Sequence, residues 1–177
     1  MKWLIASDLH GSEKCCEMLM DAFAREGADR MLLLGDILFS KFGNPLRKRA
    51  VADKLNAMAD RIVCVRGNCD SDADAAMLAF PLEPEYIRIP LEKGAMFATH
   101  GHLYNDTNLP PRMEEGDILL HGHTHVPRTE NLGQYLCFNP GSVAQPLWGS
   151  IRGYMTLEGG LFRWVTLEGE EYRRYEL

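Results

Sequence analysis

The sequence has no Cys-x-x-Cys spacing, no apolar run of membrane-spanning length and no excess of positive charge, and each absence removes a class of protein. Its cysteines, Cys15, Cys16, Cys64, Cys69 and Cys137, are odd in number and irregularly spaced, which argues against a disulfide framework and against a structural zinc knuckle. Four of them fall in a predicted helix or in apolar strand-like runs, where small buried residues are expected. Cys69 stands apart in a polar loop. The formal net charge of -6 gives no general attraction to polyanions, so no stable nucleic-acid partner is expected. The basic stretch of Arg47, Lys48, Arg49 and Lys54 reads as a solvated helix face. The amino-terminal apolar run is broken by Ser7, Asp8 and His10 before a signal-peptide core forms, which with the missing spans predicts no membrane association and a cytoplasmic protein. Linkers, low-complexity segments and internal repeats are also missing. A chain of 177 residues with 46% hydrophobic content then predicts one domain spanning residues 1–177.

What is present begins with alternation. Residues 2–7 read as a buried strand, followed by a polar loop, an N-cap at Ser12, apolar positions at helical spacing (Cys16, Leu19, Met20, Phe23, Ala24) and a C-cap at Gly27. The unit recurs: a strand from Met31 to Leu34, a helix from about Leu46 to Asp60, and a strand from Ile62 to Val65. Strand, loop and helix in repetition predict parallel strands whose carboxyl ends share one rim. After about Pro81 the pattern becomes strands with little helix, at Tyr86–Leu91, Ala95–Thr99, Ile118–Leu120, Tyr135–Phe138, Tyr154–Leu157 and Leu161–Leu167. A hairpin turn is expected at Gly159 and Gly160. The predicted class is α/β, two packed sheets with helices outside.

Polar residues gather where the apolar strands stop: Asp8-x-His10, Gly35-Asp36, Gly67-Asn68, Thr99-His100-Gly101-His102 and His121-Gly122-His123-Thr124-His125. All six histidines lie in these segments. One histidine on a strand is more often packing than a ligand, but six at strand ends beside Asp8, Asp36 and Asn68 reverse that expectation. Carboxylate, imidazole and amide donors suit Mn²⁺, Fe or Zn²⁺ better than a thiolate or an all-oxygen calcium site. Seven candidate ligands are too many for one ion, and a shared carboxylate predicts a pair held about 3.5–4 Å apart.

In this order and at these intervals, the series DLH, GD, GNCD, THGH and GHTH resembles the calcineurin-like metallophosphoesterase superfamily. The resemblance is closer to its small YfcE-type phosphodiesterases, extends to VRGNCDSD, THGHLY and FNPGSV, and covers nearly the whole chain. It implies a β-sandwich flanked by helices. Asp8, His10 and His125 would hold a first metal, Asn68, His100 and His123 a second, and Asp36 would bridge them. The ions implied are two divalent metals, Mn first, with Fe, Zn or Ni as alternatives. A small phosphodiester substrate is implied as well, and so is a homo-oligomer, which the strand-rich carboxyl-terminal third also suggests, since edge strands such as those around Leu161–Leu167 need covering.

Two divalent cations against two carboxylates leave positive charge for an anionic substrate. Water bridging the ions, deprotonated near neutral pH, would attack phosphorus in line, while the Asn68 amide and the metals stabilise the growing charge. Asn68, Cys69 and His100 are the candidates for direct catalytic roles. Many members of the wider superfamily have His after the metal-binding Asn; here Cys69 stands there, either as wall or as a tuned thiol. Asp70 fits a helix cap or a ligand-orienting group. For His102 and His121, ligand support, substrate contact and packing stay open, and Asn139, Gly141 and Ser142 form either a plain turn or a histidine-orienting loop. Phe39, Phe42 and Trp148 are candidates for the substrate mouth. The competing function is a non-catalytic protein-binding scaffold on the same fold.

Overall fold

The computed structural model describes residues 1–39, 45–82 and 84–177; Phe42, expected at the substrate mouth, lies outside them. In chain order the elements are β1 (Trp3–Ala6), α1 (Glu13–Glu26), β2 (Arg30–Leu33), α2 (Pro45–Asn56), a 3₁₀ turn (Ala59–Arg61), β3 (Ile62–Cys64) and α3 (Asp72–Ala75). They continue with β4 (Tyr86–Pro90), β5 (Ala95–Thr99), β6 (Ile118–His121), β7 (Arg128–Asn131), β8 (Leu136–Asn139), β9 (Gly153–Glu158), β10 (Leu161–Thr166) and β11 (Glu171–Glu176). Two sheets result, ordered β11-β10-β9-β1-β2-β3 and β4-β5-β6-β8-β7. This is a mixed α/β arrangement of two packed sheets with helices outside, as the sequence predicts.

Strand alternation explains the layering. Leu4, Ala6, Met31 and Leu33 face outward and bury against Cys16, Leu19 and Phe23 of α1 and Val51, Ala52 and Leu55 of α2. The intervening Ile5 and Leu32 point the other way, into the layer between the sheets, with Met96, Ala98, Ile118, Leu120, Phe138 and Trp164. Trp164 anchors that layer: fully buried, it contributes about 3 kcal/mol of transfer free energy, and its indole N–H donates to Asn139 O at 2.7 Å. Helix α1 starts and stops as its sequence directs, with the Ser12 hydroxyl accepting from Cys15 N–H and Gly27 left-handed at φ 59.

The second half departs from expectation in three ways. First, β5, β6 and β8 are parallel to one another, joined without a helix, by a loop between β5 and β6 and through the strand β7 between β6 and β8. Second, the polar strands β7 and β11 were not expected. Third, Leu161–Leu167 is not an edge: β10 pairs with β9 on one side and β11 on the other. That removes the edge strand on which the oligomer expectation partly rested. The hairpin at Gly159 (φ 56) and Gly160 (φ 86) is as read. Among the described residues no helix is long and apolar enough to cross a membrane.

Candidate metal centre

Six parallel strands, three per sheet, end on the same rim. The segment after β1 carries Asp8 and His10, that after β2 Asp36, after β3 Asn68, after β5 His100, and after β6 His123 and His125. The loop after β8 supplies Asn139 to Val143. Abrupt turns at strand ends need left-handed backbone, and Asp8, His10, Asp36, His123 and His125 all have φ between 47 and 63. Five such residues at about 1–2 kcal/mol each approach the net stability of a domain, so surrounding bonds must hold them. Glycine makes the close approach possible at Gly67, where a Cβ would overlap the Asp36 main chain and carboxylate.

The expected ligands converge. Asp8 Oδ1 lies 3.1 Å from His125 Nε2 and 3.7 Å from His10 Nε2. Asp36 reaches both sides, with Oδ2 3.7 Å from His10 Nε2 and Oδ1 3.5 Å from His100 Nε2. Asn68 Oδ1 is 3.0 Å from His100 Nε2. The His123 ring is 5.0 Å, centroid to centroid, from that of His100. Asp8–His10–His125 and Asp8–Asp36–His100 are each close enough to share an ion, as is His10–Asp36–Cys69.

Main-chain carbonyls decide which ring nitrogens face the centre. His10 Nδ1 sits 3.2 Å from Phe39 O, His100 Nδ1 2.6 Å from Leu34 O, and His125 Nδ1 2.6 Å from Gln145 O. A carbonyl only accepts, so each Nδ1 carries the proton and each neutral ring turns a bare Nε2 inward. Two such lone pairs, on His10 and His125, then meet at 3.3 Å. Asp8 Oδ1, buried beside them, has no hydrogen-bond partner. Lone pairs and carboxylates aimed at one another require positive charge between them, so these residues fit divalent cations. Without ions a proton partly fills the role. Burial lowers the His125 pKa, but contact with Asp8 outweighs it and the net shift is upward. Burial raises Asp8, and contact with His125 and the Ser7 hydroxyl bring it below its ordinary value.

The residues left open in the sequence now have positions. Asp70 does not cap α3; Ser71 does, in a reciprocal box with Asp74. The Asp70 carboxylate instead accepts main-chain N–H groups of Asp36, Ile37 and Gly67. Around metal-free ligands, burial, a hydrogen bond with Asp36 and nearby carboxylates push the Cys69 thiol up to about 12. Its main-chain N–H donates to Asp36 Oδ1 at 2.9 Å. His121 is buried beside Asn139, whose Nδ2 also donates to Gly122 O and Thr124 Oγ1. His102 lies near the centre, 5.4 Å from the His100 ring and 3.9 Å from Glu85 Oε2.

Ser142 Oγ donates to Asp8 O at 2.9 Å and accepts from Gln145 N–H, so the loop after β8 holds both Asp8 and the carbonyl that orients His125. Trp148 is 91% exposed at φ 54, in a turn whose neighbours Leu147 and Ser150 bond to His125 O. Sequence reasoning missed Ser7, whose hydroxyl donates to Asp8 Oδ2 at 2.6 Å, and the three carbonyls that fix the histidines. A serine beside Asp8 was visible; the carbonyls have no side-chain signature.

A model of the calcineurin-like phosphoesterase superfamily domain matches residues 1–159. Phosphodiesterase YfcE of Escherichia coli strain K12 is 38% identical over 174 residues, 96% of this chain and 94% of its own. The solved structure of Yfce, a phosphoesterase from E. coli, superposes with a TM-score of 0.92 at 36% identity, covering 99% of both chains. Vps29 from Entamoeba histolytica, complexed with Zn²⁺, gives a TM-score of 0.65 at 20% identity over 99% of both chains, a likeness of fold alone. With strand ends that bring carboxylates and imidazoles together around space fit for cations, the chain belongs to the calcineurin-like phosphoesterase superfamily and is a metal-dependent phosphoesterase.

Proposed function

We propose that the chain is a dinuclear phosphodiesterase acting on small phosphodiesters. The observation that carries this reading is the inward convergence of the His10, His100 and His125 Nε2 atoms on Asp8 and Asp36. Asp8, His10 and His125 would hold one ion, Asn68, His100 and His123 the other, and Asp36, which faces both sides, would be shared. Mn²⁺ is the first choice for a mixed oxygen and imidazole set. The ions would supply activation of water near neutral pH and Lewis-acid neutralisation of phosphoryl charge.

The side chains set the rest. Asn68 turns Oδ1 toward His100 and leaves its Nδ2, now 3.3 Å from Cys69 Sγ, to meet a phosphoryl oxygen. His100 is fixed by the Leu34 carbonyl and keeps its ring nitrogen on the centre. Cys69, standing where many of the wider superfamily carry His, offers no positive charge to the phosphoryl group. A diester carries one negative charge and tolerates that lack, whereas a monoester approaching two gains most from a cationic partner. The name of the E. coli relative, a phosphodiesterase, supports the same substrate class. A cytoplasmic location and a homo-oligomer complete the reading, the first supported by five unpaired cysteines.

The test is a panel of aryl diesters, aryl monoesters and cyclic nucleotides, assayed on chelated protein and after reloading with Mn²⁺, Zn²⁺ or Ni²⁺. Diester hydrolysis that needs added metal and exceeds monoester hydrolysis is expected. Equal turnover of monoesters, or turnover after full chelation, contradicts the proposal.

A further inference from the structure

Asp70 is 5% exposed, yet no cation pairs with its carboxylate among the described residues. Its oxygens instead receive three main-chain N–H groups: Oδ2 takes those of Asp36 at 2.8 Å and Gly67 at 2.9 Å, and Oδ1 that of Ile37 at 2.9 Å. These donors belong to two loops, one following β2 and one following β3. The Asp70 carbonyl is gripped in turn by Arg66 Nε at 3.2 Å and Nη2 at 3.1 Å. Cys69 N–H closes the arrangement on Asp36 Oδ1 at 2.9 Å.

Asp36 sits at φ 54, and its carboxylate must reach both sides of the centre while Asn68 Oδ1 stays beside His100. Resting on the ligand set proposed above, we infer that Asp70 is the positioning residue that couples the two metal sites. It holds the shared Asp36 carboxylate in register with the Asn68 amide.

A buried carboxylate can also serve stability alone, and the same fold contains a second one far from the proposed ligands. Asp117 is 3% exposed and accepts Ala95 N–H at 2.7 Å and Glu114 N–H at 2.8 Å, at the amino end of β6, away from the rim. It is a matched control. Asp70→Asn replaces one acceptor oxygen with an N–H₂ group and turns it on a buried N–H, whereas Asp117→Asn makes the equivalent change far from the ligands.

The experiment titrates Mn²⁺ into chelator-stripped parent, Asp70→Asn and Asp117→Asn, read by calorimetry and by electron paramagnetic resonance. The parent takes two ions and shows an exchange-coupled pair. In Asp70→Asn the second ion binds about 10–100-fold more weakly, and isolated Mn²⁺ replaces the coupled signal. Asp117→Asn loses thermal stability but keeps both ions at parent affinity.

Arg66→Lys retains the charge and loses the paired donation to the Asp70 carbonyl, so it gives a smaller shift in the same direction. It carries the test if Asp70→Asn does not fold. A coupled pair at parent affinity in Asp70→Asn, an equal loss in Asp117→Asn, or an unshifted Arg66→Lys overturns the inference. A parent that binds fewer than two ions overturns the ligand set instead.

Discussion

On the Asp8 side of the centre both imidazoles are held by main-chain carbonyls, from Phe39 and Gln145, and their Nε2 atoms already lie 3.3 Å apart. On the Asn68 side only His100 is held this way; the exposed His123 ring has no hydrogen-bond partner among the described residues. Only the main-chain N–H of His123 is tied, to Asp8 Oδ2 at 3.1 Å. One proposed site is therefore built before any ion arrives, and the other is completed by its ion. Preorganisation lowers the cost of binding, so the Asp8 side should load first and the Asn68 side should govern how much metal activity requires.

The largest effect belongs to the residue common to both sides. Asp36→Asn should lower diester kcat/KM by about 10³-fold or more, since several kcal/mol of metal-derived stabilisation are at stake. A variant within tenfold of parent would show that Asp36 is not shared. Next come the two rings that differ. His125→Ala should abolish binding of the tighter ion, while His123→Ala should keep that ion and regain activity in excess Mn²⁺. Calorimetry on both variants decides, and the reverse pattern breaks the comparison.

Acid should distinguish the sides as well. The His125 pKa is raised because contact with Asp8 outweighs burial, and the His123 pKa is lowered by burial and by His100. Protons therefore compete for the Asp8 side at higher pH than for the Asn68 side. In Mn²⁺ titrations across pH 5.5–8, affinity for the first ion should start to fall at the higher pH. The metal-free protein should show the opposite trend in stability. The Asp8–His125 contact stabilises it below the ordinary histidine value of 6.5, and this contribution fades as pH rises through the raised His125 value. It also fades in acid, below the ordinary Asp8 value of 3.8, as the lowered carboxyl takes up its proton. Thermal melts at pH 6 and 8, with and without Mn²⁺, check both signs.

The smallest effect concerns Cys69. Cys69→Ala should change aryl diester turnover by less than about threefold, because an aryl leaving group is stable as an anion and needs little help from an acid. Cys69→His should raise monoester relative to diester kcat/KM. An unmoved ratio with both ions bound removes Cys69 from the explanation of specificity.

Legibility in the sequence followed the side chains. Ser12 and Gly27 marked the ends of α1 because a cap hydroxyl and a left-handed glycine are chemical signatures of a helix terminus. The proposed ligands were visible because carboxylates and imidazoles at the ends of apolar strands have no packing reason to be there. The strands β7 (RTEN) and β11 (EYRRYE) were invisible: they lie at sheet edges, and neither carries a clear apolar alternation. The carbonyls of Leu34, Phe39 and Gln145 orient three histidines through atoms that every residue has. Asp70 was visible as a candidate, but choosing between a cap and a clamp required knowing which N–H groups it meets.

The central claim is a two-ion centre that drives hydrolysis, and its most direct test follows metal content and turnover together. Chelator-stripped protein is titrated with Mn²⁺ while bis(p-nitrophenyl) phosphate hydrolysis is recorded at each addition. A two-ion centre predicts two ions per chain, little activity after the first and a steep rise with the second. Full activity with one ion, or with none, would contradict it.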